Sequence, residues 1–256
     1  MTATEKITSR QNANIISARE LSDKKQRDAR GEFFFEGIKL LREAKRENVH
    51  ILRVFATSEA IARYGEELSG DFRLCEVTEE VYDKLTTENA PQGVFSVAKI
   101  PSPIRRESGL SMILDGVADP GNLGTVIRCA DAFGAEKIYL GENCADAFNP
   151  KTVRAAMGSL FRVPTVRGDL VREIKALQSG GWSVYAAVLD ENSENIEELK
   201  KNGKTAFVIG NEGHGVSDAV RTACNGSVII PMRHDCAESL NASVAAAILM
   251  WEQKRI

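Results

Sequence analysis

The stretch PMRHDCAESLNAS, residues 231–243, gathers side chains that can do chemistry. His234, Asp235 and Cys236 are adjacent, and Glu238 follows closely. A thiol beside an imidazole suggests nucleophilic catalysis, and the same residue types bind transition metals. A thiol hydrolase that used Cys236 and His234 would need a preorganised geometry, which neighbouring residues of one loop rarely supply. A thiol, a metal site and a loop whose chemistry lies elsewhere all remain open at this point.

Cysteine spacing argues against a metal site. The five cysteines are scattered and never occur as C-x-x-C: Cys75, Cys129, Cys144, Cys224 and Cys236. Neither a zinc knuckle nor a disulfide framework has this pattern. We expect small buried thiols and no metal ion.

A second loop, DGVADPGNLGTVIRCADAFG, leads from an apolar run into an amphipathic helix over residues 123–133. Asn122 is placed to cap this helix, and Arg128 lies on its polar face with Gly124 and Asp131. Arg128 is therefore expected to face outward, toward a ligand or simply toward solvent.

A third loop, VIGNEGHGVS, has glycines at 210, 213 and 215 around Asn211 and Glu212, with His214 beside them. Glycines directly after an apolar strand let the backbone approach a ligand, although a tight turn needs them too. Their spacing fits neither the dinucleotide fingerprint nor a Walker loop.

Ser239 and Asn241 stand at the start of an apolar helix over residues 240–253. Their side chains can cap this helix, and its free N–H groups can bind an anion or a polar ligand. The pattern predicts that one face of the helix packs inward, with these residues: Val244, Ala245, Ile248, Leu249 and Trp251.

These three loops lie in a part of the chain where strands alternate with helices. Strands are predicted at 110–115, 137–140, 162–166, 183–188, 205–209 and 227–230. Further helices are predicted at 151–157, 170–178 and 218–222. Apolar strands separated by helices favour a mostly parallel sheet covered on both faces, whose ligands bind beyond the carboxyl ends of the strands.

The first hundred residues predict a small α/β sandwich. Strands are expected at 32–37, 50–56, 73–77 and 94–100, and helices at 14–21, 38–46, 59–68 and 79–85. The stretch KIPSPIRRESG interrupts the apolar periodicity, so we place the domain boundary there, with domains over 1–103 and 104–256.

Composition is that of an ordinary globular protein, with 43% hydrophobic and 27% charged residues. The first residues have no apolar core of signal-peptide type and no run is long enough to span a bilayer, so we expect a cytoplasmic protein. The net charge of −3 excludes a chain coated in positive charge but allows a local basic face.

The stretches NLGTVIRCADAFGA, VIGNEGHGVS and IIPMRHDCAESLNASVAAAILMWE resemble the three motifs of the SpoU (TrmH) family of RNA 2′-O-ribose methyltransferases, in the same order and spacing. The segments SRQNANIISARELSDKKQR, RGEFFFEG and PQGVF resemble the family's substrate-binding domain of ribosomal protein L30e type. The resemblance covers nearly the whole chain.

This resemblance implies a deep trefoil knot in the C-terminal domain, a homodimer formed through that domain, and S-adenosylmethionine as methyl donor. It implies donor contacts at Gly210, Asn211, Gly213, Ile230, Met232 and Leu240. It implies that catalysis and substrate positioning use Asn122, Arg128, Glu212, Ser239 and Asn241. The loop around His234 and Cys236 differs in length among family members and has no implied role.

The family mechanism assigns deprotonation of the ribose hydroxyl to the residue that corresponds to Arg128. A guanidinium with a pKa above about 12 is a poor base in isolation. Two interpretations stay open: a proton relayed through Arg128 to an RNA phosphate, or a clamp that holds the phosphate and stabilises the developing alkoxide.

RNA is the expected partner, with 23S ribosomal RNA favoured over transfer RNA. Basic residues that can neutralise phosphates are Lys24, Lys25, Arg27 and Arg30 in the first domain and Lys151 and Arg154 in the second. Other functions considered are a non-catalytic RNA-binding protein of the same fold and a methyltransferase that modifies a base nitrogen. The complete motif set argues against both.

Overall fold

The structure, a computed structural model, describes residues 5–101, 107–190, 192–199, 203–233 and 239–255. The chain divides into two compact units. The first consists of Met1–Ser102 with Phe148–Phe161, and the second of Pro103–Ala147 with Arg162–Ile256. Each unit is therefore built from two segments of the chain.

The first unit contains a mixed five-stranded sheet in the order β1-β4-β3-β5-β2. Its strands are β1 (Glu5–Ile7), β2 (Glu32–Glu36), β3 (Ile51–Thr57), β4 (Arg73–Val77) and β5 (Val94–Lys99). β4 runs parallel to β1 and β3, whereas β5 runs antiparallel to β3 and β2. The helices are α1 (Ala13–Glu20), α2 (Lys24–Arg30), α3 (Ile38–Arg46), α4 (Ser58–Tyr64) and α5 (Glu79–Leu85).

Aromatic residues of β2 fill the core of this unit on both faces of the sheet. Successive side chains of a strand point to opposite faces. The ring of Phe34 stacks on Phe95 with centroids 4.7 Å apart, and the ring of Phe33 meets Phe148 edge-on at 5.0 Å. A strand buried on both sides explains why EFFFE is apolar without alternation.

The second unit contains a seven-stranded, wholly parallel sheet in the order β10-β12-β9-β11-β6-β7-β8. Its strands are β6 (Leu110–Asp115), β7 (Ile138–Leu140), β8 (Thr165–Arg167), β9 (Trp182–Ala187), β10 (Glu194–Asn195), β11 (Lys204–Gly210) and β12 (Gly226–Ile229). Its helices are α6 (Pro120–Ala132), α8 (Leu170–Ser179), α9 (Asp218–Ala223) and α10 (Ala242–Lys254). Helix α7 (Pro150–Ala156) and a 3-10 turn (Ser159–Phe161) belong to the first unit. The predicted α/β class and parallel sheet are confirmed.

The inward face predicted for the last helix is wrong in part. Leu249 is buried, but Val244 and Trp251 are 47% and 56% exposed. The helix instead buries smaller residues, including Ala242 and Ala246, because it packs closely on α6 and the central strands. Only one edge of Trp251 is covered, where Phe133 meets it edge-on.

The basic stretch after α1 is a helix, α2, that the sequence did not predict. Asp23 caps it by accepting a hydrogen bond from the Lys25 N–H at 2.9 Å, and Gly31 ends it in the left-handed conformation at φ 61°. Arg27 points into the core and is 2% exposed. Its guanidinium donates to the carbonyl oxygens of Leu21 and Ser22 at 2.7 and 2.8 Å. The RNA contact predicted for Arg27 is therefore wrong, because its side chain is used inside the unit.

Among the described residues, no helix is long and apolar enough to cross a membrane.

Arg27 should matter for stability while its exposed neighbour does not. Arg27→Ala leaves two carbonyl groups without their donor, and we expect it to cost about 2 kcal/mol of unfolding free energy. For a unit of this size the thermal midpoint would fall by about 8 °C. Lys25→Ala, the matched control, should stay within about 0.5 kcal/mol of the parent. Calorimetric melting of the full chain measures both, and equal midpoints for the two variants would contradict a structural role for Arg27.

Candidate active site

Two of the three loops begin side by side because their strands are neighbours. β6 and β11 pair in parallel register, with Asp115 opposite Gly210 at their carboxyl ends. The carboxylate of Asp115 also accepts a hydrogen bond from the Ser217 N–H at 2.8 Å, so both ends of the β11 loop are fastened to β6. The loop containing Asn122 and the loop containing Glu212 thus leave the sheet at one place.

Helix α6 begins three residues earlier than predicted. Its N-cap is Asp119, whose carboxylate accepts from the Asn122 N–H at 2.7 Å, and Pro120 follows as the first helical residue. Proline suits this position because its missing N–H is not needed there. The capping role predicted for Asn122 is wrong, and its side chain is free for other contacts. The expected exposure of Arg128 on this helix is confirmed.

The β11 loop is a tight hairpin. The N–H groups of Asn211 and Gly215 each donate to the other's carbonyl oxygen at 2.9 Å. A Cβ atom at Gly210 would lie 2.1 Å from the backbone carbon of Gly215, so the loop itself requires this glycine. Gly215 adopts φ 69°, where L side chains are strained. Gly210 and Gly215 are thus explained by the fold of the loop, whatever it binds.

The third loop leads from β12 to α10, which packs against α6, β11 and β6. Strands β9 and β11 separate β12 from β6 in the sheet. Asn241 caps α10, because its Oδ1 accepts from the N–H groups of Ser243 and Val244 at 2.9 and 3.4 Å and from the Ser243 hydroxyl at 2.7 Å. The predicted cap at Asn241 is confirmed.

A chain of hydrogen bonds joins all three loops. Asn241 Nδ2 donates to Asn122 Oδ1 at 3.0 Å, and Asn122 Nδ2 donates to the Glu212 carboxylate at 2.9 Å. The cap fixes the direction of the chain, since an Oδ1 that accepts from the helix leaves only Nδ2 to face Asn122. Asn122 must then turn its own Nδ2 toward Glu212. The structure therefore holds together three residues that the sequence selected from separate motifs.

The two remaining predicted catalytic residues are exposed and take no part in this chain of hydrogen bonds. Arg128 and Ser239 are exposed, and Arg128 forms no hydrogen bond or ion pair within the described part of the chain. Of the predicted donor contacts, Ile230, Met232 and Leu240 are half-buried. Gly213 donates its N–H to the Asn211 side chain, and a Cβ there would meet only that side chain, at 3.5 Å. His234, Asp235, Cys236 and Glu238 lie outside the described residues.

The sequence interpretation missed one exposed apolar residue at this edge of the sheet. Leu189 follows β9, whose carboxyl end lies between those of β11 and β12, and it is 59% exposed. Ligands of parallel sheets bind beyond the carboxyl ends of the strands, and Leu189 lies at that edge. The signal in the sequence was present: a polar turn starts directly after an apolar strand.

The basic residues predicted to contact RNA differ in availability. Lys25 is exposed, and Lys24 is exposed and paired with Asp28. Arg30 donates to Ser17 and pairs with Glu20. Helix α7 carries two more, of which Lys151 is exposed and Arg154 lies 3.8 Å from Glu88. Arg154 and Glu88 both belong to the first unit.

Thiol and metal chemistry find no support among the described residues. Burial raises the pKa of Cys75, Cys129, Cys144 and Cys224, that of Cys224 to about 11. These thiols stay protonated at neutral pH, and only Cys75 and Cys144 are fully buried as predicted. No group of three metal-ligating side chains occurs in the described part of the chain.

Comparison with known proteins identifies relatives across the chain. Residues 109–251 match the SpoU rRNA Methylase family, and residues 12–96 match an MRM3-like substrate binding domain. The chain is 34% identical to the 23S rRNA (guanosine(2553)-2′-O)-methyltransferase RlmP of Bacillus subtilis, over 96% of this chain and 97% of that protein. It is 30% identical to the 23S rRNA (uridine(2479)-2′-O)-methyltransferase of Streptomyces viridochromogenes, over 92% and 86%.

A solved structure is similar over the same length. The AdoMet-bound rRNA methyltransferase of Sinorhizobium meliloti superposes with a TM-score of 0.86 at 30% identity, over 98% of this chain and 97% of that one.

Substitutions can separate the capping role of Asn241 from its hydrogen bond to Asn122. Asn241→Ala removes the cap and should cost about 1 kcal/mol of stability, as should Asp169→Ala, which removes the equivalent cap of α8. Asn241→Asp keeps the capping oxygen and should melt close to the parent, although it can no longer donate to Asn122. Thermal melts of the three variants test this, and an Asn241→Ala protein as stable as the parent would refute the cap.

Proposed function

Because the chain belongs to the SpoU rRNA methylase family, we propose that it transfers a methyl group from S-adenosylmethionine to a ribose 2′-hydroxyl of 23S ribosomal RNA. The observation that carries this proposal is the hydrogen-bond chain from Asn241 through Asn122 to Glu212. Two relatives that match over most of their length are named as 23S rRNA 2′-O-methyltransferases. In this proposal residues 1–103 bind RNA and residues 104–256 carry out the transfer.

The donor would lie over the carboxyl ends of β9, β11 and β12. Backbone around Gly210, Asn211 and Gly213, and the half-buried side chains of Ile230, Met232 and Leu240, would hold it, with Leu189 as an added apolar contact. Partly exposed apolar side chains at this edge suit the adenosine moiety. When bound, the donor supplies an electrophilic methyl sulfonium. The trefoil knot that the resemblance implies remains a prediction about this region.

The protein's own contribution is to position the ribose oxygen and to help it lose its proton. Arg128 is exposed and unpaired in the described structure, so its five donors are available to an RNA phosphate. A role in holding the phosphate and stabilising the developing alkoxide suits a group that stays charged. Glu212, Ser239 and Asn241 would orient the hydroxyl beside it.

RNA binding by the first unit would use Lys24 and Lys25, which remain exposed on α2. Lys24 must exchange its ion pair with Asp28 for a phosphate, and Arg30 and Arg154 would each have to leave a carboxylate. Exposed pairs of this kind contribute little, so a phosphate can replace them. We also propose that the protein works in the cytoplasm, where it would meet ribosomal RNA.

Labelled methyl transfer tests the proposed function. The purified protein, labelled S-adenosylmethionine and total RNA from cells that lack the protein should give label in 23S RNA, and mapping should place it on one ribose. Label on a base, label in transfer RNA only, or no label on any RNA would overturn the proposal.

Two variants assign the roles of site residues in the same assay. Arg128→Lys keeps the charge but loses the planar fork, and Asn241→Asp keeps the cap but cannot donate to Asn122. Each should lower turnover about 100-fold, as removal of one preorganised donor does in other enzymes. Asp169→Ala, a cap variant away from the site, should keep parental turnover. Parental turnover in Arg128→Lys would rule out both interpretations of Arg128.

We propose that the protein is a homodimer formed through α10. Val244 and Trp251 are seven residues apart, so they lie on one helix face, and both are exposed. Large apolar side chains exposed together on one helix face are typical of an interface.

Val244→Glu should convert the dimer to a monomer in sedimentation velocity. The substitution stands in the first turn of α10, where an acidic residue suits the helix dipole, so the fold should be kept. Ile16→Glu replaces a residue of similar exposure, 46%, in the first unit and should remain dimeric. A monomeric parent protein would refute the proposal.

A further inference from the structure

The side chain of Asn211 is committed to contacts within the protein. Its Nδ2 donates to the Gly116 carbonyl oxygen at 2.8 Å. Its Oδ1 accepts from the N–H groups of Gly213 and His214 at 2.9 and 3.2 Å. This amide therefore braces the turn of the β11 loop, beside the backbone pair of Asn211 and Gly215, and ties the turn to the residue that follows β6.

The Asn211 side chain matters more for the position of the turn than for the position of β11. Gly210 belongs to the β-ladder opposite Asp115, and Ser217 is held by the Asp115 carboxylate. Between these two anchors lies the turn that carries Glu212, whose carboxylate accepts from Asn122. Loss of the Asn211 contacts should let the turn move while Gly210 stays in place.

We propose that Asn211 is a positioning residue that acts through Glu212, and that its side chain does not hold the methyl donor. The inference rests on the proposed methyl transfer. The motif position had implied a donor contact for Asn211. Its side-chain oxygen and nitrogen are instead both hydrogen-bonded to the protein backbone, which is a structural role. Glu212 then meets the substrate in a position that Asn211 sets.

Asn211→Asp tests this role without removing the side chain. The aspartate keeps an acceptor for Gly213 and His214 but places an oxygen against the Gly116 carbonyl, where no hydrogen bond can form. We expect kcat to fall about 100-fold, as a misplaced catalytic group does. The donor Kd, measured by calorimetric titration, and the KM for RNA should stay within about threefold of the parental values.

A double-mutant cycle decides whether Asn211 acts through Glu212. The double variant Asn211→Asp/Glu212→Gln should turn over within about threefold of Glu212→Gln alone. A double variant whose loss equals the product of the two single losses would overturn the inference. So would a parental kcat in Asn211→Asp, or a donor Kd weakened more than about tenfold with kcat unchanged.

A matched control separates positioning from stability. The Oδ1 of Asn225 accepts from the Val184 N–H at 2.8 Å and from Gln178 at 3.1 Å, at the amino end of β12. Asn211→Ala and Asn225→Ala should lower the melting temperature alike, but only Asn211→Ala should lose turnover; equal turnover losses would overturn the inference. A parent protein that methylates no RNA would refute the proposed function. An active parent protein with equally active Asn211 variants would refute only the positioning role of Asn211.

Discussion

The site depends on the direction of two amide side chains. An asparagine can present either its oxygen or its nitrogen, and in solution nothing selects between them. Here the N-terminus of α10 sets the orientation of the Asn241 amide, because the free N–H groups of the helix require an acceptor. The orientation of Asn241 then fixes that of Asn122, whose Nδ2 donates to the Glu212 carboxylate. A local rule of helix capping thus sets the geometry of a network that spans 119 residues of sequence.

The parallel sheet supplies the positions among which this network forms. β6 and β11 are neighbours, so their loops meet without further help. β9 and β11 lie between β12 and β6, and Asn241 meets Asn122 because α10 packs on α6. The buried residues of α10 include the small Ala242 and Ala246, and small residues let packed helices approach closely. The apolar packing of α10 and the polar contacts at its first residue therefore support each other.

Much of this could be predicted from sequence because the patterns are local. β4, β6, α3 and α5 have the predicted bounds, since each has apolar residues at the period of its element. β1 and β10 escaped prediction because two or three residues carry no period, and their strand conformation comes from pairing with β4 and β12. The fold brings three of the motif residues together, Asn122, Glu212 and Asn241, and the hydrogen bonds between them could not be read from the sequence because they require tertiary structure.

The errors have a common physical cause. Arg27 and the basic residues around it look alike in sequence, and only tertiary packing decides which one enters the core. Asn122 and Asp119 are both good caps, and the proline between them marks the correct one. Val244 and Trp251 are apolar, which predicts burial, although an interface with another chain asks for the same residue types. In each case the residue type was informative, but the contacts that decide its role cannot be read from the sequence.

The unpaired state of Arg128 has a similar structural origin. Asp131 lies one turn further along α6, at the spacing where an arginine and an aspartate ordinarily pair. Its carboxylate instead accepts from Arg162 Nε at 2.8 Å, and both side chains of that pair are largely shielded from solvent. A shielded, hydrogen-bonded pair is harder to exchange than an exposed one. By occupying Asp131, Arg162 leaves Arg128 as a cation without a local counter-charge in the described structure, on the helix that begins at the amide network. A guanidinium in that state is suited to an external anion, such as the RNA phosphate that we propose it binds.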